Sequence, residues 1–137
     1  MHGVVLAELE KYFSTEYGQR AWTQVTEHAG VGGKIYMAFN EYPDAEINGI
    51  VMAVASMSGR TVPEVLEGFG EFIAPTLLKM SAHLLAPSWK SLDVIENTEL
   101  TVHTVVRSNN PGAHPPQLRT KRSSPNEVVL IYSRCAL

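Results

Sequence analysis

The stretch "ELTVHTVVRSNNPGAHPPQL" (residues 99–118) ends a helical pattern, crosses a Pro-Gly turn and a double proline, and opens onto residues suited to a strand. On its N-terminal side, "KSLDVIENTELTVHTVVR" (90–107) places Leu92, Ile95, Val102 and Val106 on one side of a helix, with Asp93, Glu96, Asn97 and Thr101 elsewhere, and "SNNPG" stops it. On its C-terminal side, "PQLRTKR" and "EVVLIYS" are β-rich runs separated by "SSPN", the pattern of a hairpin with a short loop. Helices before this point and antiparallel strands after it make the chain α+β.

The earlier residues supply a bundle of helices. Val5, Leu6, Leu9, Tyr12 and Phe13 recur at helical spacing between Val4 and Tyr17, and Gly18 separates this amphipathic helix from a second one carrying Ala21, Trp22 and Val25, which "GVGG" ends. "KIYMAF" suits a short strand or a loop. From about Asp44 to Ser58, Ile47, Ile50, Val51, Val54 and Met57 form one apolar stripe, and Thr61 or Val62 before Pro63 starts the next helix. That helix, "EVLEGFGEFIAPTLLKMSAHLL", is apolar all round and carries Pro75, so burial and a bend near Ala74 and Pro75 are expected.

With 137 residues, 45% of them apolar, the chain suits a single domain over residues 1–137. Its formal charge is −3, and basic residues stand singly apart from Arg119, Lys121 and Arg122, so nucleic acid is not an expected partner. No apolar run reaches the ~20 residues of a membrane span, and acids interrupt the N-terminus, so the expectation is a cytoplasmic protein with no membrane partner. Cys135 is the only cysteine and makes no internal disulfide or multi-thiolate zinc site.

Few residues carry a chemical signal. No "GxSxG" elbow and no phosphate-binding glycine loop is present, and "GVGGK" lacks the Ser or Thr that a P-loop needs, which leaves no anchor for hydrolysis or nucleotide binding. The acid pairs Glu8/Glu10 and Glu64/Glu67 suit a solvated helix face. His2, His28 and His83 are isolated, and His114 sits in a rigid turn suited to solvent. His103 borders the apolar stripe. Glu99, four residues back, makes with it a pair that on a helix is as often a surface pair, so a closed zinc site is not supported. A porphyrin iron, by contrast, asks the protein for one axial nitrogen only.

The segment around His103 resembles the proximal helix and following turn of the heme nitric oxide/oxygen binding domains, the H-NOX family, in which a helix-borne histidine is followed after nine residues by "GA-x-PP". Here Gly112, Ala113, His114, Pro115 and Pro116 follow His103 at that spacing. "MHGVVLAELEKYFSTEYGQRAW" is similar to the family's opening. "YPDAEINGIVMAVASMSGRTVPEVLEGFGEFIAP" is similar to its middle helices, with Gly59, Leu66, Phe69 and Gly70 in the expected places.

The resemblance implies heme b (iron protoporphyrin IX) as cofactor, His103 as axial iron ligand and Pro116 pressing on the porphyrin. It implies a distal wall of Val5, Leu9, Phe72 and Ile73. Because that wall is apolar and donor-free, it favours nitric oxide over oxygen, with carbon monoxide the other diatomic candidate. The family's Tyr-x-Ser-x-Arg motif, which binds the heme propionates, begins at Tyr132. Strict register then puts Arg134 and Ala136 where serine and arginine belong, whereas a motif with residues lost leaves Ser133 and Arg134 as its remnants. Family members continue past the position of Leu137 with a helix and further strands, so the chain reads as a C-terminally shortened member: an N-terminal helical bundle, a proximal helix, and an antiparallel hairpin or small sheet.

The implied function is a gas sensor, not an enzyme. Weakening of the iron-to-histidine bond would be its switch, and a separate signalling enzyme such as a histidine kinase or a cyclase its partner. The alternative is a heme-free helical interaction module, a degenerate relative of the sensors; oxygen chemistry at a heme is disfavoured by the apolar distal residues.

Overall fold

In a computed structural model the chain forms six α-helices and a β-hairpin, described here over residues 2–109, 112 and 114–133. The helices are α1 (Gly3–Tyr17), α2 (Gln19–His28), α3 (Asp44–Ser58), α4 (Val62–Met80), α5 (Ser91–Asn97) and α6 (Thr104–Asn109). A short 3-10 turn covers Ala82–Leu84, and a π-helical turn, Glu99–His103, lies between α5 and α6. Strands β1 (Gln117–Ser124) and β2 (Glu127–Ser133) pair antiparallel, with Leu118 opposite Tyr132 and Thr120 opposite Leu130. The chain divides into two compact units, Met1–Leu77 and Leu78–Leu137.

The first unit owns the hydrophobic core. Leu6, Leu9, Tyr12 and Phe13 from α1 meet Trp22 and Val25 from α2, the stripe Ile47, Ile50, Val51 and Val54 from α3, and Val65, Phe69 and Ile73 from α4. Three of these elements start or stop where local chemistry requires. Gly18, at φ 85°, turns the chain between α1 and α2 with a backbone that a side chain would strain. Gly59, at φ 70°, ends α3 in the left-handed conformation. At the start of α4 the Glu64 carboxylate accepts from the Thr61 amide at 2.7 Å while the Thr61 hydroxyl accepts from the Glu64 amide at 3.4 Å, a reciprocal cap.

Several sequence expectations change at this level. Met57 lies off the α3 core stripe and is 45% exposed. Rather than being buried all round, α4 turns only Val65, Phe69 and Ile73 into the core, while Leu66, Leu77, Leu78 and Met80 are exposed; the helix continues through Pro75. "KIYMAF" forms no strand: Tyr36 alone is buried, and Ile35, Met37 and Phe39 face outward. Glu64 belongs to a cap rather than to a merely solvated face, and His2 caps α1, its Nδ1 accepting from the Val4 amide at 3.4 Å.

The second unit is built differently. None of its described residues is fully buried. Its hairpin leaves Val129, Leu130, Ile131 and Tyr132 exposed along β2, and an isolated two-stranded hairpin is marginal in water. Ion pairs hold it to the helical segment instead: Arg122 on β1 donates to Glu96 at 2.6 Å and to Asp93 at 2.8 Å, both on α5.

Candidate functional site: a histidine on a π-helical turn

The segment expected as one helix over residues 90–107 is interrupted at the residue of interest. The His103 amide donates to the Thr98 carbonyl at 3.0 Å, a bond that spans five residues instead of four. Hydroxyl-bearing residues suit this widened turn, because their side chains bond back to helix carbonyls in competition with the amides. Thr98 donates to the Val94 carbonyl at 2.7 Å, Thr101 to Asn97 at 2.7 Å, and Thr104 to Glu99 at 3.1 Å. π-turns of this kind are frequent at functional sites.

His103 is neither a solvent-facing ring nor half of a surface pair. Its side chain is 16% exposed, and its Nδ1 lies 2.9 Å from Glu99 Oε2. The same carboxylate accepts from Arg107 at 2.7 Å and from the Leu118 backbone amide at 3.0 Å. Burial acts to raise the Glu99 pKa, but it is outweighed by the hydrogen bonds from His103, Leu118 and Arg107 and by the Arg107 charge, and the group is held below its ordinary value. An ionised carboxylate only accepts, so the proton of this contact lies on Nδ1, and in the neutral ring Nε2 is then the nitrogen with the lone pair. Such a histidine, its far nitrogen hydrogen-bonded to a carboxylate, is a suitable ligand for a metal that needs one imidazole. The donor set therefore fits a heme iron. It does not fit a chelated ion: among the described residues no group of three or more His, Cys, Asp or Glu side chains is gathered to hold a metal.

The other expected site residues fall in different surroundings. Pro116 is half-buried just before β1. Tyr132 and Ser133, at the end of β2, are exposed, and the Ser133 hydroxyl donates to the Gln117 carbonyl at 3.4 Å. Arg134 lies outside the described residues, as do Ala113 and Cys135. In the first unit Leu9 has no exposed surface and Ile73 is buried, so both are core side chains, while Val5 and Phe72 pack at the core's margin, with the Phe72 ring centroid 5.4 Å from that of Tyr12. His114 is exposed. The i, i+4 spacing pairs Glu99 with His103 in the sequence, but as readily as a surface pair; the second and third donors that make it more than that come from Arg107 and from a backbone amide no pattern reveals.

Among the described residues no helix is long and apolar enough to cross a membrane. The sequence pattern of the Haem-NO-binding family matches residues 2–134. The fold is similar to that of an H-NOX protein from S. oneidensis in the Fe(II)NO ligation state, with a TM-score of 0.84 and 19% identity over 98% of this chain and 75% of that one. It is also similar to the Fe(II) unliganded H-NOX protein from K. algicida, with a TM-score of 0.81 and 16% identity over 98% of this chain and 74% of that one. No curated protein sequence matches. The family match over nearly the whole length, with a half-buried, singly oriented histidine at its centre, places the chain in the Haem-NO-binding (H-NOX) family.

Proposed function

We propose that the chain is a single sensor domain over residues 1–137 that binds heme b through His103 and reports nitric oxide to a separate signalling protein, a histidine kinase or a cyclase, in the cytoplasm. One observation carries this reading: the His103 ring is withdrawn from solvent with Nδ1 committed to Glu99, which leaves Nε2 as the nitrogen able to ligate. Heme iron, when bound, supplies the coordination position at which a diatomic gas binds. The chain's own residues supply the rest. His103 offers one neutral nitrogen, Pro116 restricts the backbone that follows it, and Tyr132, Ser133 and Arg134 are the residues available for the propionates. Val5, Leu9, Phe72 and Ile73 offer no hydrogen-bond donor, so a gas that gains charge on binding, as oxygen does, receives no side-chain stabilisation from them. No catalytic role is assigned to any of these groups.

The test is spectroscopic. Ferrous heme-loaded protein exposed to nitric oxide is expected to change its visible spectrum, and the same protein exposed to air is expected to form no stable oxygen complex. A stable oxygen complex overturns the assignment of gas. A folded chain that takes up no heme favours the heme-free interaction module instead.

A further inference from the structure

We propose that Glu99 is a positioning residue that fixes the ring of His103 and ties it to strand β1, so that a displacement of His103 is passed to the hairpin. This rests on the reading of His103 as iron ligand for its biological meaning, though not for its geometry. One oxygen, Oε2, accepts from both His103 Nδ1 at 2.9 Å and the Leu118 amide at 3.0 Å, while Oε1 is held by Arg107 at 2.7 Å. His103 and Leu118 are fifteen residues apart in sequence and one oxygen atom apart in space.

The Leu118 amide is the outward-facing group of β1. Antiparallel pairs alternate between residues that exchange backbone bonds across the ladder and residues whose amides point away from it, and Leu118 directs its amide to Glu99. Four residues on, Arg122 makes the second attachment of the same strand, to Glu96 and Asp93. β1 is thus fastened at two points to the helical segment that carries His103, and the first of these shares its acceptor with the ring. A carboxylate with three donors has no freedom to follow one of them without losing another. When the ring shifts with its bond to Oε2 kept, either Oε2 leaves Leu118 or Leu118 and the start of β1 go with it.

The experiment uses the full chain, wild type and Glu99→Gln, without heme and then with ferrous heme. It records imidazole nitrogen spectra, which report the tautomer, and amide hydrogen exchange. Without heme, wild-type His103 is expected as one tautomer protonated at Nδ1, with the Leu118 amide protected. In Glu99→Gln the tautomers mix and Leu118 exchanges faster by about tenfold or more. Heme loading then changes the exchange rate of the Leu118 amide in the wild type and leaves it unchanged in the variant. A wild-type His103 protonated at Nε2, or a wild-type Leu118 amide exchanging like an unstructured one, overturns the proposal, and both are read without the variant should Glu99→Gln fail to fold. A chain that binds no heme removes the sensor reading but leaves the heme-free tautomer and exchange results to decide the role of Glu99.

Discussion

Residue by residue, the first unit contains contacts with little tolerance. A Cβ built on Gly68 lies 2.5 Å from the Tyr12 hydroxyl, which also accepts from Arg60 at 3.4 Å. Gly68→Ala is expected to destabilise the chain by about 1–3 kcal/mol in urea unfolding, the usual range for overpacking, and by clearly less in a Tyr12→Phe background, where the clashing oxygen is gone. Equal losses in both backgrounds contradict this origin. Glu46 offers a pH test. The hydrogen bond from Lys34 is the largest influence on it and, with that from Tyr36 and the Lys34 charge, holds its pKa below the ordinary 4.5 against the opposing effect of burial. The folded value is the lower one, so the stabilisation is fully present above pH 4.5 and is lost as pH falls through the folded value. Glu46→Gln is expected to flatten the acid limb of the stability profile below 4.5.

At the scale of elements, helices with one clear apolar stripe were the legible ones. α1, α2 and α3 fall within a residue or so of their expected bounds because Leu6, Leu9, Phe13, Val25 and Ile50 repeat at helical spacing and Gly18 and Gly59 punctuate them. The hairpin was legible because "SSPN" separates two β-rich runs, with Pro125 and Asn126 forming its turn. The helical segment carrying His103 was legible in type but not in geometry. Its Thr98, Thr101 and Thr104 signal hydroxyl back-bonding, yet the π-turn depends on which carbonyls those hydroxyls reach, and apolar periodicity does not encode that. The exposed apolar face of α4 was misjudged for a related reason, since composition reports how apolar a helix is and not which sides find partners. The cap of α4 is the element most open to a single change. Thr61→Ala removes the hydroxyl that accepts from the Glu64 amide and is expected to cost about 1 kcal/mol in thermal unfolding. An unchanged midpoint contradicts a capping role for Thr61.

Over the whole molecule, the two units draw on different physics. The described residues up to Leu77 bury sixteen apolar side chains, whereas those from Leu78 onward bury none fully and rely on Arg122, Glu99 and the hairpin ladder. Segments held by few buried contacts open locally at low free energy. Amide exchange is therefore expected to be faster over α5 to β2 than over α1 to α3, and slower over α5 to β2 once a ligand that binds only the folded form is present. Uniform protection without heme contradicts this division.

The proposed function turns on the His103 nitrogen that Glu99 leaves free. The decisive measurement is the visible spectrum of ferrous heme-loaded protein, wild type against His103→Gly. Axial ligation predicts a Soret band that is lost or displaced in the variant; a Soret band of unchanged position and intensity contradicts it.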